Sequence, residues 1–248
     1  EIANLTGFYP GDREKPATAI HIYLRPLDGR QAERELVLDT FDLGKIQNPD
    51  LPLDPFQNAF FSPADPTFST VFGIQGGAMF FGQGPNRDYS YDGDVVYHEF
   101  THAVVNATLQ LVGTPHRDAL GVSHSPGGMN EGLADFFSSA IAGDPDVGEY
   151  ASKDFAPNLS AIRSLSNPDK CPTEIGGEVH QDATLFSGGL WDVRAGLSAE
   201  QALVYDEAVF TAMNSSPTGN LGYEDFAQLG VQGVLHVSAQ IGALEHTP

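Results

Sequence analysis

Two imidazoles and a carboxylate lie within five residues in the segment His98-Glu99-Phe100-Thr101-His102. Residues four apart on a helix leave the same face about one turn apart, so both rings can bind one metal ion while Glu99 lies beside them. This H-E-x-x-H spacing fits a Zn²⁺ site in which the glutamate acts as a general base. The pentapeptide also occurs by chance, and the alternative is a surface helix with two ordinary histidines.

The residues around the motif favour the metal site. Apolar side chains flank it on almost every side: Val95, Val96, Tyr97, Phe100, Ala103, Val104 and Val105. A helix of this kind is buried, and burying two imidazoles and a carboxylate without a partner costs free energy. We therefore interpret His98 and His102 as metal ligands.

A catalytic zinc needs a third protein ligand and one open coordination position. The single cysteine, Cys171, excludes a thiolate site, and Val105 and Thr108 stand where a histidine-continued motif would need Gly and His. Downstream, Glu131 and Asp135 are four residues apart and share a helical face. One of these carboxylates can bind zinc while the other accepts a hydrogen bond from a ligand imidazole. The alternative, a pair of solvated acids, suits an exposed helix better than one with apolar neighbours.

Two helices are predicted to carry these residues. Residues 94–112 contain no Gly or Pro and precede Gly113-Thr114-Pro115, which indicates a helix with a C-terminal stop. A loop is predicted over 114–126 and a second helix over 129–142. Later helices are predicted over 156–164, 181–194, 199–213 and 223–243.

The part of the chain before the motif has a different amino-acid composition. Residues 1 to about 92 are rich in Pro, Gly and Asp, with short β-leaning pieces at 19–24, 35–38, 58–61, 70–72 and 78–81. Strands first and helices afterwards predict an α+β fold. We expect a β-rich N-terminal lobe over 1–112, ending in the H-E-x-x-H helix, and a helical C-terminal lobe over 113–248. A substrate cleft would lie between the lobes.

Composition narrows the partners. The 33 acidic residues against 12 Lys and Arg give a net charge of −21, which repels polyphosphate and argues against a nucleic-acid partner. No apolar run approaches the roughly 18–20 residues of a membrane span, so no membrane partner is expected. The hydrophobic content of 41% is that of a globular chain able to bury a core without disulfides.

The segments 94–102 and 127–135 together resemble the thermolysin-like gluzincins, a family of zinc metallopeptidases, and the Gly-Gly-Met lead-in at 127–129 is similar to that of the fungalysins. The resemblance implies a thermolysin-like zincin fold with the active-site helix between two lobes. It also implies site residues: His98, His102 and Glu131 as zinc ligands, Glu99 as general base, and Asp135 as the partner of a ligand histidine.

Further segments extend the resemblance to residues 58–191. Asn58 and Ala59 begin a segment similar to the family's substrate-binding edge strand, which implies hydrogen bonds to an extended peptide. Arg163 lies in a segment similar to the one whose arginine grips a substrate carbonyl. His180 lies in a segment similar to the one whose histidine stabilises the tetrahedral intermediate.

Two features depart from the family pattern. The family's tyrosine between the second and third ligands is absent from residues 103–130, and its aspartate five residues before the catalytic histidine is here Ile175. The candidates to replace the tyrosine are His116, Arg117 and His124, unless each is simply a solvated loop residue. The candidates to orient His180 are Glu174 and Glu178.

A structural calcium ion is the second metal to consider. Asp94 matches a calcium ligand of the family, but the position where the second helix would add a glutamate is Ala142. Acidic residues follow at Asp144, Asp146 and Glu149, and calcium binds hard oxygen ligands. We expect calcium near Asp94 and Asp144, the alternative being acidic loops in an acidic protein.

The predicted function is a secreted, zinc-dependent endopeptidase that acts on peptides or proteins. Val95 and Ile162 fall at positions that line the family's pocket beyond the scissile bond, which implies cleavage before bulky hydrophobic residues. The chain begins Glu1-Ile2-Ala3 without Met, so we expect that a signal or pro-segment has been removed. One rival is a catalytically impaired protein that keeps zinc and binds peptides, and a second is a metallo-aminopeptidase.

Overall fold

The computed structural model describes residues 21–24, 57–66, 69–70, 76–82, 84–111, 115–118, 121–171, 173–215 and 219–230. In chain order the elements are β1 (His21–Leu24), β2 (Ala59–Ser62), β3 (Ala78–Phe81), a 3-10 turn (Tyr89–Tyr91), α1 (Gly93–Ala107), β4 (His116–Asp118), β5 (Gly121–Ser123), α2 (Ser125–Ala142), β6 (Asp146–Val147), α3 (Ser152–Phe155), β7 (Arg163–Ser164), α4 (Val179–Ala195) and α5 (Ala199–Ser215). A further helix includes residues 223–230. Helices dominate the described residues and the strands are short, which is compatible with a mixed α+β zincin.

The first sheet is antiparallel and has β3 at its centre. β1 and β2 both pair with β3, with His21 and Ala59 each opposite Phe81. Phe81 is fully buried, and the rings of Phe60 and Phe80 stack with their centroids 4.6 Å apart. The strands predicted at 58–61 and 78–81 are thus confirmed, as is the described part, His21–Leu24, of the strand predicted at 19–24.

The β-rich N-terminal lobe is not confirmed. The strand predicted at 35–38 and most of residues 1–56 lie outside the described residues, as do residues 71–72 of another predicted strand. Within the described part of the chain, no helix is both long and apolar enough to cross a bilayer.

The side chain of Asp92 starts α1 and ties it to a distant loop. Its Oδ1 accepts hydrogen bonds from the backbone N–H groups of Asp94 and Val95, at 3.1 and 3.4 Å, which is the usual N-cap arrangement. Its Oδ2 accepts from the N–H of Ala151 at 2.8 Å. The helix ends at Ala107, five residues before the predicted end, in a turn where Gln110 has φ +52°. No Gly or Pro marks this end in the sequence.

The second ligand-bearing helix, α2, begins four residues earlier than predicted. Pro126 lies in its first turn, where a missing N–H costs nothing. The helix ends at Ala142 and is followed by Gly143, whose φ of +91° is a left-handed conformation that glycine adopts without strain. Glycine has a low helix propensity, which favoured a predicted start after Gly127 and Gly128, but both residues belong to the helix.

Glycines of α2 permit close packing against α4. A Cβ on Gly132 would lie 2.8 Å from Phe186 Cδ1 and 3.1 Å from the Ala183 carbonyl oxygen. A Cβ on Gly127 would lie 2.6 Å from Val179 Cγ1. The two helices share a buried core with α5 and the helix at 223–230, which contains Leu133, Phe136, Trp191, Val209, Met213 and Phe226.

Two predictions about the connecting segments were wrong. The predicted helix at 156–164 is replaced by the short α3 and by β7, because Ala156 precedes Pro157 and takes an extended conformation with φ −154° and ψ 134°. The predicted loop at 114–126 contains the hairpin formed by β4 and β5. The helices predicted at 181–194 and 199–213 are confirmed within two residues at each end.

Candidate active site

The side chains of α1 and α2 converge on one point. His98 Nε2 and His102 Nε2 lie 3.0 Å apart, and Glu131 Oε2 lies 3.3 Å from the first and 3.6 Å from the second. Among the described residues these three form a group that could hold one metal ion, and we refer to them as the metal-binding group. The four-residue spacing on α1 and the close approach of α2 are what bring them together.

The donor set fits zinc. Ligand atoms at 2.0–2.2 Å from a tetrahedral Zn²⁺ lie about 3.3–3.6 Å from one another, close to the separations observed here. Glu131 Oε2 is buried and has no hydrogen bond of good geometry with the described residues. Two nitrogens and one carboxylate oxygen are also ligands that zinc accepts. The sequence prediction of these three residues as one group agrees with the geometry.

Hydrogen bonds on the far side of each ring fix the imidazoles. His98 Nδ1 lies 2.8 Å from Asp135 Oδ1, and His102 Nδ1 lies 2.9 Å from Asn130 Oδ1. Such partners orient a ligand ring and set which nitrogen is left to bind metal. Sequence reasoning anticipated the role of Asp135 and missed Asn130, although Asn130 directly precedes the third ligand.

Asp135 is fully buried and held by a guanidinium group. Arg163 donates from Nε to Asp135 Oδ2 at 2.8 Å and from Nη2 to Oδ1 at 2.7 Å. Burial alone would raise the pKa of Asp135, but Arg163 and His98 hold that pKa well below its usual range. Asp135 therefore stays anionic. Arg163 Nη2 also lies 3.5 Å from His98 Nδ1, so the arginine is part of the metal site's surroundings.

The electrostatics of His98 favour a positive charge between the surrounding carboxylates. Burial lowers the pKa of His98, but the hydrogen bonds with Asp135 and Glu131 outweigh it and raise the pKa to about 10. Burial likewise opposes ionisation of Glu131, yet His102 and His98 hold the pKa of Glu131 well below its usual range. A cation between these groups can replace the proton of His98 and keep the charge balance.

Glu99 is a buried carboxylate with an unused oxygen. The side chain is 5% exposed, and its Oε2 has no hydrogen-bond partner among the described residues. Burial raises the pKa of Glu99, and His98 and His102 oppose the rise. The Phe61 backbone amide of β2 is within hydrogen-bonding reach of this carboxylate. Glu99 is thus placed beside the three-residue group without belonging to it.

Two adjoining cavities meet at Glu99. The larger, about 310 Å³, is lined by the three-residue group and by the β2 side, including Asn58, Ala59 and Phe60. The smaller, about 150 Å³, is lined by several apolar side chains and by Arg163. Its apolar lining includes Val95, Val147, Phe155 and Ile162. His98, Glu99 and His180 line both cavities.

His180, near the start of α4, lies beside Glu131 of the metal-binding group. Its Nε2 lies 3.6 Å from Glu131 Oε2, and its Nδ1 lies 2.7 Å from Glu178 Oε1. Glu174, the other candidate partner of His180, instead accepts a hydrogen bond from the Lys170 backbone N–H at 3.0 Å. Of the two candidates that the sequence left open, Glu178 is therefore the one whose carboxylate contacts His180.

The candidates for the missing tyrosine lie elsewhere. Neither cavity is lined by His116, Arg117 or His124. His116 Nδ1 lies 3.0 Å from Asn220 Oδ1, which anchors the β4–β5 hairpin to a later segment. Asn106, which lines the larger cavity one turn after His102, was not anticipated. The sequence feature that could have identified Asn106 is its spacing of four residues from His102, which places both side chains on the same face of the helix.

Asp94, the expected calcium ligand, pairs with Glu149. Its Oδ2 accepts a hydrogen bond from the Gly148 N–H at 3.2 Å, and its carboxylate faces that of Glu149. Asp144 accepts a hydrogen bond from the Asp146 N–H at 3.1 Å. Asp94 and Asp144, the two expected calcium ligands, thus each accept a backbone hydrogen bond. The carboxylate that faces Asp94 is that of Glu149, which the sequence analysis named only as one of the acidic residues after Ala142.

Comparison with known proteins adds to the geometry. The profile of the family described as fungalysin metallopeptidase (M36) matches residues 9–234. Extracellular metalloproteinase 4 of Trichophyton rubrum is 38% identical over 77 residues, which cover 30% of this chain and 12% of the relative. Extracellular metalloproteinase 9 of Coccidioides posadasii (strain C735) is 38% identical over 121 residues, which cover 44% of this chain and 18% of the relative. The matched segments therefore represent a small part of these relatives' length.

Proposed function

Because this chain belongs to the fungalysin metallopeptidase family, we propose that it is a zinc-dependent endopeptidase whose metal is held by His98, His102 and Glu131. The observation that carries the proposal is the convergence of two ring nitrogens and a carboxylate oxygen within 3.0–3.6 Å. A buried carboxylate and an open cleft adjoin that point. The arrangement is that of a hydrolytic zinc site with room for water and a substrate carbonyl.

Glu99 is the proposed general base. Zinc, when bound, supplies Lewis-acid activation of a water molecule and of the scissile carbonyl. Glu99 accepts the proton of the attacking water and later delivers it to the leaving amine. The raised pKa of its buried carboxyl makes Glu99 a stronger base than a solvated glutamate. Its unpartnered Oε2 is the atom available for this transfer.

His180 and Arg163 are the proposed donors to the substrate. An imidazolium carries N–H groups on both nitrogens, so His180 can donate to Glu178 and to a developing oxyanion near Glu131 at the same time. Arg163 uses two of its five N–H groups on Asp135 and lines the smaller cavity, where a further N–H can reach a substrate carbonyl.

The edge strand β2 is the proposed substrate-binding strand. Among the described strands it lies at one side of the first sheet, so an extended peptide can add to its outer edge. The Asn58 carbonyl already accepts a hydrogen bond from the Gly82 N–H at 2.9 Å. The side-chain amide of Asn58, together with Ala59, therefore faces the peptide in the proposed complex.

The smaller cavity is the proposed pocket for the residue after the scissile bond. Its volume of about 150 Å³ and its apolar walls favour a bulky hydrophobic side chain. Val95 and Ile162 are among the walls, as the family resemblance implied. Substrates with Leu or Phe at this position are expected to be cleaved faster than those with Asp or Gly.

Secretion and a two-lobed organisation complete the proposal. The relatives named above are extracellular enzymes by name, which supports an extracellular location here. A lobe over 1–112 that ends in α1 and a lobe over 113–248 that carries Glu131 and His180 would place the cleft between them. Peptides or proteins are the proposed substrates.

Calcium is proposed as a structural ion at Asp94. Two facing carboxylates, Asp94 and Glu149, repel each other unless a proton or a cation lies between them. Carboxylate oxygens are the ligands calcium prefers, and loops that follow α2 supply more of them, including Asp144. The ion would hold these loops against the start of α1.

An internally quenched peptide with both ends blocked tests the function. Wild type should cleave it, and a chelator should abolish cleavage. Glu99→Gln should keep about one zinc per chain and lose turnover, because the metal ligands remain while the base is gone. An aminopeptidase would cleave only peptides with a free amino terminus, and a peptide-binding protein would cleave neither kind. Either result would overturn the proposal.

A further inference from the structure

The segment that leads into α4 is folded by a buried carboxylate. Asp182, which is 4% exposed, accepts hydrogen bonds from the backbone N–H of Gly176 at 2.7 Å and from that of Gly177 at 3.0 Å. Gly177 has φ +83°, a conformation that favours glycine. The turn is therefore pinned to the first part of α4, and this fixes where the backbone of Glu178 begins the helix.

Glu178 uses its two carboxylate oxygens for two different tasks. Oε2 accepts a hydrogen bond from the Gln181 N–H at 2.9 Å, which caps the N-terminus of α4. Oε1 lies 2.7 Å from His180 Nδ1. One side chain thus joins the helix start to the imidazole two residues later.

Packing alone does not fix the His180 ring. The side chain is 54% exposed, so few neighbouring atoms restrict its rotation. Its Nε2 nevertheless lies 3.6 Å from Glu131 Oε2, at the metal-binding group. The hydrogen bond on the opposite nitrogen is the described contact that holds the ring in this orientation.

We propose that Glu178 is the positioning residue for His180, and that the Asp182-pinned turn sets the place from which Glu178 acts. The inference rests on the proposed function, in which His180 donates to the oxyanion. It explains how the chain manages with Ile175 at the position where the family has its aspartate. The carboxylate comes instead from the helix cap, two residues before the histidine.

The chain offers variants that separate capping from positioning. Glu178→Ser keeps an N-cap oxygen but cannot reach His180 Nδ1, because serine is a preferred cap with a short side chain. Glu178→Gln keeps the length but has a single acceptor oxygen for two donors. His180→Ala removes the positioned ring itself.

Kinetics give the first result. Glu178→Ser should lower kcat roughly 10-fold with KM nearly unchanged, as outer partners of catalytic groups do. Glu178→Gln should lie between wild type and Glu178→Ser. The double variant with His180→Ala should be no slower than His180→Ala alone, because Glu178 then has no ring to position. An equal loss in both backgrounds, or no loss in either, would overturn the proposal.

Two readouts do not depend on turnover. The inhibition constant of a phosphinic peptide, which mimics the tetrahedral intermediate, should rise in Glu178→Ser by the same factor by which kcat falls. In the metal-free full chain with ¹⁵N-labelled histidine, the Nδ1 shift of His180 should change in Glu178→Ser. An unchanged shift would overturn the positioning role. If wild type cleaves no peptide, the proposed function fails, whereas the ring shift still decides whether Glu178 holds His180.

Discussion

His98 lies between the charged groups of the site and contacts two of them. Its two nitrogens contact Glu131 and Asp135, and Asp135 in turn binds Arg163. The chain of contacts runs from the metal-binding group to an ion pair in which Asp135 is fully buried and Arg163 is partly buried. His98, Asp135 and Arg163 each contact a group of opposite charge, which is the condition under which buried charges are tolerated.

Removing the charge of Asp135 should weaken metal binding. Asp135→Asn keeps the size of the side chain but no longer stabilises the orientation and basicity of His98. We expect zinc affinity to fall about 10- to 100-fold, measured by competition with a chelator. Asp192→Asn, at an exposed position of α4, is the matched control and should bind zinc as wild type does. Equal affinities for Asp135→Asn and wild type would show that Asp135 does not support the ligand.

The sequence predicted the three proposed ligands but only part of their surroundings. His98, Glu99 and His102 lie within one turn of a helix, so spacing alone brings them together. Asn130 and Arg163 reach the same site from separate elements, and no local pattern fixes such contacts. The structure was needed to show that Asn130 orients His102 and that Arg163 binds Asp135.

At the scale of elements, the approach of α2 to α4 determines the distance between Glu131 and His180. Gly132 follows the third ligand in α2, and a Cβ at this position would lie 3.1 Å from the Ala183 carbonyl oxygen and 2.8 Å from Phe186 Cδ1 of α4. A larger side chain there would push the helices apart. Packing of the two helices is therefore linked directly to the geometry of the site.

Substitution of this glycine tests that link. Gly132→Ala should destabilise the fold by roughly 1–3 kcal/mol, because the added Cβ meets a backbone carbonyl that cannot move aside. Gly189→Ala, at an exposed helical position where nothing lies within 4 Å, should be neutral or stabilise by up to about 1 kcal/mol. Denaturant unfolding measures both. Similar free energies for the two variants would contradict the packing argument.

The pair of carboxylates at the start of α1 predicts a pH dependence. Burial and the facing Glu149 raise the pKa of Asp94 to about 8, whereas an unfolded aspartate has a pKa of about 3.9. The folded state then keeps a proton that the unfolded state releases. This contribution to stability is full below about pH 4 and is lost as the pH rises through about 8.

Thermal unfolding in the presence of a chelator measures this effect. The unfolding midpoint of wild type should fall between pH 6 and pH 9 relative to that of Asp94→Asn, which has no proton to lose. If calcium replaces the proton, added Ca²⁺ should raise the wild-type midpoint more at pH 9 than at pH 6. Parallel curves for the two proteins would argue against a shared proton.

Sequence patterns predicted the long elements better than the short ones. The helix predicted at 129–142 precedes the stop signal Gly143-Asp144-Pro145, and its end and both ends of the helix predicted at 181–194 agree with the structure within two residues. The start of α2 was predicted less accurately, since α2 begins at a proline and two glycines that count against helix. The helix expected at 156–164 failed because Pro157 forces Ala156 into an extended conformation.

For the whole molecule, the dominant long-range interaction is the electrostatic repulsion that follows from a net charge of −21 on a 26.5 kDa chain. Like charges repel more strongly in the compact state than in the expanded one. Raising NaCl from about 0.02 to 0.5 M should therefore raise the unfolding midpoint, because the Debye length falls to a few ångströms. KCl should act equally. No change, or a lower midpoint in both salts, would contradict the role of self-repulsion.

The central claim is that two histidines from α1 and one glutamate from α2 share a zinc ion. The most direct measurement is an anomalous difference map from crystals of the zinc-loaded chain, recorded at the zinc absorption edge. The account predicts one strong peak about 2.0–2.2 Å from Nε2 of His98, Nε2 of His102 and a carboxylate oxygen of Glu131. A zinc peak elsewhere, or none between these three side chains, would contradict it.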